Sequence, residues 1–228
     1  MKIRELFEEN SNSEFAKKWI SKWMAACTGN LAKYKNEISN CDFQNNGDVV
    51  YQGNLYILDD DFLDENKEIP IQVAQCRRFQ IASTNITSFK NSPKFIAGSS
   101  NGINDWVFLL RKVFGDKEDF NSLRSLEGIT PIIPGNINLA PAHNLSYSKV
   151  DKHIKEIDGH LRISGQYVGP LLSFLKVKKL DYIMAGVNPI DETDKACEII
   201  SAHLQSDRNI VACQEELFQN NLDVYAKL

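Results

Sequence analysis

Four short segments decide how this chain folds: Asn54-Leu55-Tyr56-Ile57, Arg78-Phe79-Gln80-Ile81, Asn136-Ile137-Asn138-Leu139 and His160-Leu161-Arg162-Ile163. Each alternates polar and apolar residues, the period-2 signature of a strand with one buried face. The first two start 24 residues apart and so do the last two, while the middle pair is separated by 58. A unit recurring at 20–30 residues is the mark of a solenoid, in which each turn buries its apolar side only by stacking on its neighbours. Gly53, Gly135 and Gly159 stand just before three of these strands, where the chain must turn tightly.

Stacking in register places Leu55/Ile57, Phe79/Ile81, Ile137/Leu139 and Leu161/Ile163 in one inward column. The intervening residues point the other way and form two outward columns, Asn54/Arg78/Asn136/His160 and Tyr56/Gln80/Asn138/Arg162. Tyr56, Arg78, Gln80, Asn138, His160 and Arg162 are the candidate binding face, polar with one aromatic and several long donors, as suits a protein partner. The plainer alternative is a solvated sheet face.

The connections carry a second pattern. Asn85-Ile86-Thr87-Ser88-Phe89-Lys90-Asn91-Ser92-Pro93 follows the second strand, and Leu123-Arg124-Ser125-Leu126-Glu127-Gly128-Ile129-Thr130-Pro131 precedes the third. Both have apolar residues three apart with a serine between, then a polar step and a proline. These strings resemble the degenerate leucine-rich repeats of many bacteriophage-encoded proteins. The C-terminal part is similar to the same group at Leu171–Ile183, at Cys213-Gln214-Glu215-Glu216-Leu217 and at the closing Tyr225-Ala226-Lys227-Leu228. The resemblance spans roughly residues 45–228. It implies a non-enzymatic, phage-encoded interaction module that binds a host or phage protein in the host cytoplasm, or a virion protein docking through its helical ends. A regular leucine-rich repeat keeps an asparagine five residues after the first strand leucine. Here those places hold Asp60, Thr84, Ala142 and Gln166, so the expected fold is an α/β, short and irregular leucine-rich-repeat-like solenoid with a parallel sheet.

Helices are expected at both ends. Residues 1–40 read as an N-terminal cap: Ser11 and Glu14 make a capping box, Phe15, Trp19 and Trp23 recur every four residues, and Gly29-Asn30 ends the helix. Residues 41–185 are the repeat region, with an amphipathic helix inserted near 103–114 to account for the long spacing. Residues 186–228 form a C-terminal cap, with Ala196, Ile199, Ile200, His203 and Leu204 at core spacing.

Composition bounds the function. The chain has 228 residues, 43% hydrophobic and 25% charged, with a net charge of −4, which excludes wholesale disorder and argues against nucleic acid as main ligand. Charge is uneven: residues 41–70 net −7, residues 71–180 net +7 and residues 181–228 net −6. No apolar run approaches the ~20 residues of a membrane span, and the acidic opening is not a signal peptide, so a soluble cytoplasmic protein is expected. The five cysteines are scattered and read as reduced core residues. No P-loop, HExxH or GxSxG motif occurs. The acidic run Asp59-Asp60-Asp61 lacks calcium-loop spacing and reads as a solvated loop, and the histidines lack zinc-spaced cysteines. No cofactor, metal site or catalytic residue is therefore expected, and an enzyme of unrecognised class is the third reading after the two above.

Overall fold

A computed structural model describes residues 3–28, 38–98, 106–110, 120 and 122–228. Within these the chain winds into a parallel β-solenoid of about five turns, flanked by helices. Most turns contribute two short strands. The first set comprises β2 (Val49–Tyr51), β4 (Val73–Cys76), β6 (Phe95–Ile96) and β8 (Ile132–Ile133). The second comprises β3 (Asn54–Ile57), β5 (Arg78–Ile81), β7 (Trp106–Leu110) and β9 (Asn136–Asn138). In the last turns the two merge into long strands, β10 (Glu156–Ile163) and β11 (Lys178–Ala185). The larger sheet has the order β11-β10-β9-β7-β5-β3, every pair parallel. A smaller sheet runs from β1 (Cys41–Phe43), antiparallel to β2, through β2 and β4 to β6.

The four diagnostic segments therefore lie in one sheet, parallel and in the expected register. Asn54 pairs with Arg78, Tyr56 with Gln80, and Asn138 with Arg162. The long spacing has a different cause from the one expected. Trp106–Leu110, within the segment read as a helix, is strand β7, inserted between β5 and β9. Phe108 pairs with Phe79 on one side and Ile137 on the other, so the interval is two turns of 29 residues. A five-residue apolar run has no periodicity that separates strand from helix, and burial on a sheet decides it. The remainder of the 103–114 segment lies outside the described residues.

Leu55, Phe79, Phe108, Ile137, Leu161 and Ile183 form an inward column in which every side chain is buried, with T-shaped contacts of Phe108 to Phe79 and Phe89. The two similar connecting strings are successive rungs. Thr130 Oγ1 donates to the Pro93 carbonyl, and a Cβ on Gly128 would come within 2.7 Å of the Lys90 nitrogen. With φ at +81°, position 128 requires glycine for both conformation and space.

In place of an asparagine ladder, mixed side chains stitch neighbouring turns. Asn91 Nδ2 donates to the Ile69 carbonyl, Gln72 Nε2 to Ser92, Thr87 Oγ1 to Asn66 and Gln166 Nε2 to Asn188. Asp60 belongs to this set: it accepts from Ser83 and Asn85 of the next turn and pairs with Lys67 at 3.3 Å. The acidic run is thus partly a fastening rather than wholly a solvated loop.

Helix α1 (Ile3–Thr28) begins well before Ser11, so the serine sits mid-helix rather than at its N-terminus. Residues 3–10 hold three Glu with one Leu and one Arg, good helix formers that extend a helix as readily as a cap starts one. Ala16, Trp19, Ile20, Trp23 and Met24 are buried, whereas Phe15 is half exposed. The expected stop at Gly29-Asn30 lies outside the described residues. Two indole N–H groups fix the helix to the first turn, Trp19 to the Phe62 carbonyl at 3.2 Å and Trp23 to the Tyr56 carbonyl at 2.6 Å. The short helix α2 (Val150–His153) lies in a connection. At the other end α3 (Asp191–Leu204) packs on β11, and α4 (Ile210–Gln219) follows. Ser201 Oγ bonds both the N–H and the carbonyl of Ile183, and Arg208 donates to the carbonyls of Val177 and Leu180. These contacts satisfy backbone groups on an edge strand that would otherwise invite pairing with another chain.

Candidate functional site

The outward face of the larger sheet carries two rows of side chains. One runs Tyr56, Gln80, Leu109, Asn138, Arg162 and Met184 in direct register across six strands. The other is built from the pairs Asn54 with Arg78, Trp106 with Asn136, and His160 with Tyr182. Strand alternation puts them on one side, because their neighbours Leu55, Phe79, Phe108, Ile137, Leu161 and Ile183 fill the core; Trp106 is the exception, brought to this face by a register shift in β7 between Trp106 and Phe108.

The six candidate residues share this face but do not form one cluster. Tyr56, Arg78 and Gln80 lie at the β3–β5 end and Asn138, His160 and Arg162 at the β9–β10 end. Four strand spacings separate Tyr56 from Arg162, about 19 Å. All six are half-buried rather than fully exposed.

The second group is the better organised. Arg162 lays its guanidinium over the Trp106 indole, 5.0 Å from the ring centroid, and directs Nε at Met184 Sδ, 3.3 Å away. Beside it the His160 ring stacks on Tyr182 with centroids 3.8 Å apart and an interplanar angle of 33°. His160 Nε2 lies 3.7 Å from an Asp181 carboxylate oxygen. Asn136 turns its side chain back into the structure, where Oδ1 accepts the His160 backbone N–H at 2.8 Å. Asn138 Oδ1 accepts the Ala140 N–H at 3.1 Å, and its backbone is in direct register with Arg162. The result is a pre-arranged patch of two aromatic rings, an imidazole, a guanidinium and a thioether.

Trp106, Leu109, Tyr182 and Met184 escaped the sequence reading. The first two sit in the run read as a helix. The last two flank Ile183, which follows Leu161 by 22 residues, close enough to the repeat to have extended the columns by one strand.

Chemistry elsewhere is sparse. Among the described residues no group of three or more His, Cys, Asp or Glu side chains is placed to hold a metal. Cys76, Cys197 and Cys213 are buried, and desolvation pushes the thiols of Cys197 and Cys213 up to about 12, so they stay protonated and unreactive. A groove of about 510 Å³ runs beside Lys90, Lys94, Gly128 and Thr130, but both lysines are spoken for, by Glu68 at 2.7 Å and Asp48 at 2.6 Å. No described helix is long and apolar enough to cross a membrane. No family model matches the chain, and neither a curated protein nor a solved structure does.

Proposed function

We propose that this chain is a non-enzymatic module that binds another protein through the outward face of its larger sheet. One observation carries the reading: the Trp106–Arg162–Met184 cluster, flanked by His160 on Tyr182, is ordered in advance on a rigid sheet. Trp, Tyr and Arg dominate binding energy at protein interfaces, and rings already stacked lose little entropy on binding. Its strands and rungs follow a leucine-rich-repeat-like logic, with α1 and the α3–α4 pair as end caps. The resemblance to phage repeat proteins makes a host or phage protein in the cytoplasm of an infected cell the natural partner.

The test is affinity capture by wild type and by a Trp106→Ala/Tyr182→Ala variant, with melting curves confirming that both are folded. Loss of a captured protein from the variant alone supports the reading, and equal capture refutes it.

A virion component docking through its helical end is the second reading. Val211 and Phe218, one heptad apart on α4, are 63% and 47% exposed. Mass in solution separates the two, since an assembly component associates with itself and a Phe218→Asp change then disperses it.

A further inference from the structure

We infer that the partner presents a carboxylate to Arg162, as an acidic side chain of an extended protein segment lying across β9 and β10. This rests on the reading of the face as a protein-binding surface and goes on to name what is bound.

Three observations point there. Neither outward row contains an aspartate or glutamate; the rows hold Arg78, Arg162 and His160 instead, with Asp181 beside His160 and Asp158 further along the same side of β10. Among the described residues Arg162 is held by two contacts: Trp106 supports the guanidinium plane and the Met184 sulfur accepts from Nε. No carboxylate among the described residues pairs with it. A half-buried guanidinium oriented in this way keeps its two terminal nitrogens for a planar, two-oxygen acceptor. Asn138, in direct register with Arg162, has its oxygen committed to the Ala140 N–H, so what it can offer a ligand is its Nδ2 donor. Potential donors therefore stand on adjacent strands, and the rings of Trp106 and Tyr182 on either side offer apolar contact to the residues next to the acid.

A carboxylate fits better than a phosphate backbone. Neither row includes a lysine, and the net charge is −4.

The experiment is selection from a displayed library of random peptides on immobilised wild-type protein, followed by affinity measurement on the enriched sequences. Enriched peptides are expected to carry Asp or Glu beside an aromatic or apolar residue. Changing that acid to its amide, or Arg162→Gln in the protein, should weaken binding roughly 10- to 100-fold, the loss of a charge-assisted bidentate contact. Asn138→Asp keeps the acceptor for Ala140 and should abolish binding of the acidic peptides by supplying Arg162 with an internal partner, while the melting temperature holds. Peptides that need Trp106 and Tyr182 but show no acidic preference, or that ignore Arg162→Gln, overturn the inference and leave the protein-binding reading standing. The same holds if a single-stranded oligonucleotide or a phosphopeptide binds this patch more tightly than any acidic peptide. Absence of any peptide dependent on the face overturns both.

Discussion

Arg162 and Trp106 touch across an intervening strand: the guanidinium of β10 reaches over β9 to lie on the indole of β7, 5.0 Å from its centroid. The two residues are 56 positions apart in sequence, and two turns of winding bring them together. Arg162 depends on Trp106 for its orientation, and the contact is a property of the solenoid rather than of any local motif.

A double-mutant cycle on this pair should therefore give a coupling energy. Trp106→Ala and Arg162→Ala, singly and together, are expected to be coupled by about 0.5–1 kcal/mol in denaturant unfolding, the usual size for a partly exposed cation–π contact. Strict additivity would mean that the arginine is held by Met184 and the backbone alone.

How much of this could be read beforehand follows from the physics of each element. Leu55/Ile57 and Leu161/Ile163 announce themselves because a strand with one wet face must alternate, and equal spacing follows from stacking equal turns. Trp106–Leu110 does not alternate visibly, since Val107, Phe108 and Leu110 are all buried. Its place was nonetheless legible: Phe108 lies midway between Phe79 and Ile137. Trp106 and Leu109 went unseen for that reason. Asp60 was misread because an acidic run looks solvated until the Ser83 and Asn85 of the next turn are brought against it. Phe15 shows the opposite failure, a helical stripe wider than the surface available to bury it.

The register shift at Gly159 in β10 offers a sharper test of the packing. A Cβ at Gly159 would meet Asn136 Oδ1 at 2.5 Å, the same oxygen that receives the His160 N–H. Gly159→Ala should cost about 1–3 kcal/mol by pushing that amide away and leaving a half-buried N–H unpaired. Asn136→Ala should cost a similar amount through the same lost bond. The two together should cost less than their sum, because alanine at 136 makes room for the new methyl. A fully additive double variant, read by urea unfolding, would refute the shared mechanism.

Acid should loosen the turns at Glu68. Hydrogen bonds from Lys90 and from Ser88 of the next turn hold its carboxyl below the ordinary value of 4.5. A lowered folded-state pKa means that the unfolded chain takes up the proton more readily. The contribution to stability is therefore complete above about pH 4.5 and is lost as pH falls through the lower folded value. Glu68→Gln should reduce stability at neutral pH and flatten the decline between pH 4.5 and the acid transition. An unchanged slope in a pH series of melting curves would show that the bond is too weak to matter.

Trp23 is where the N-terminal helix meets the candidate face. Its indole N–H reaches the Tyr56 carbonyl at 2.6 Å while its ring stands edge-on to Tyr51, with centroids 5.5 Å apart at 80°. The residue is buried, and β3, which carries Tyr56, is the outermost strand of its sheet. Trp23→Ala removes ring and bond together and should cost roughly 3–5 kcal/mol. Trp23→Phe keeps an aromatic against Tyr51 but leaves the Tyr56 carbonyl without its donor. An unsatisfied carbonyl costs about 1–3 kcal/mol, so the phenylalanine variant should fall between wild type and alanine. Hydrogen exchange supplies the location: backbone amides of β3 and β5 should lose protection in both variants, while those of β10 and β11, at the opposite end of the sheet, keep theirs. If both substitutions cost under about 1 kcal/mol, α1 is not docked as described, and the β3 edge must be covered in another way.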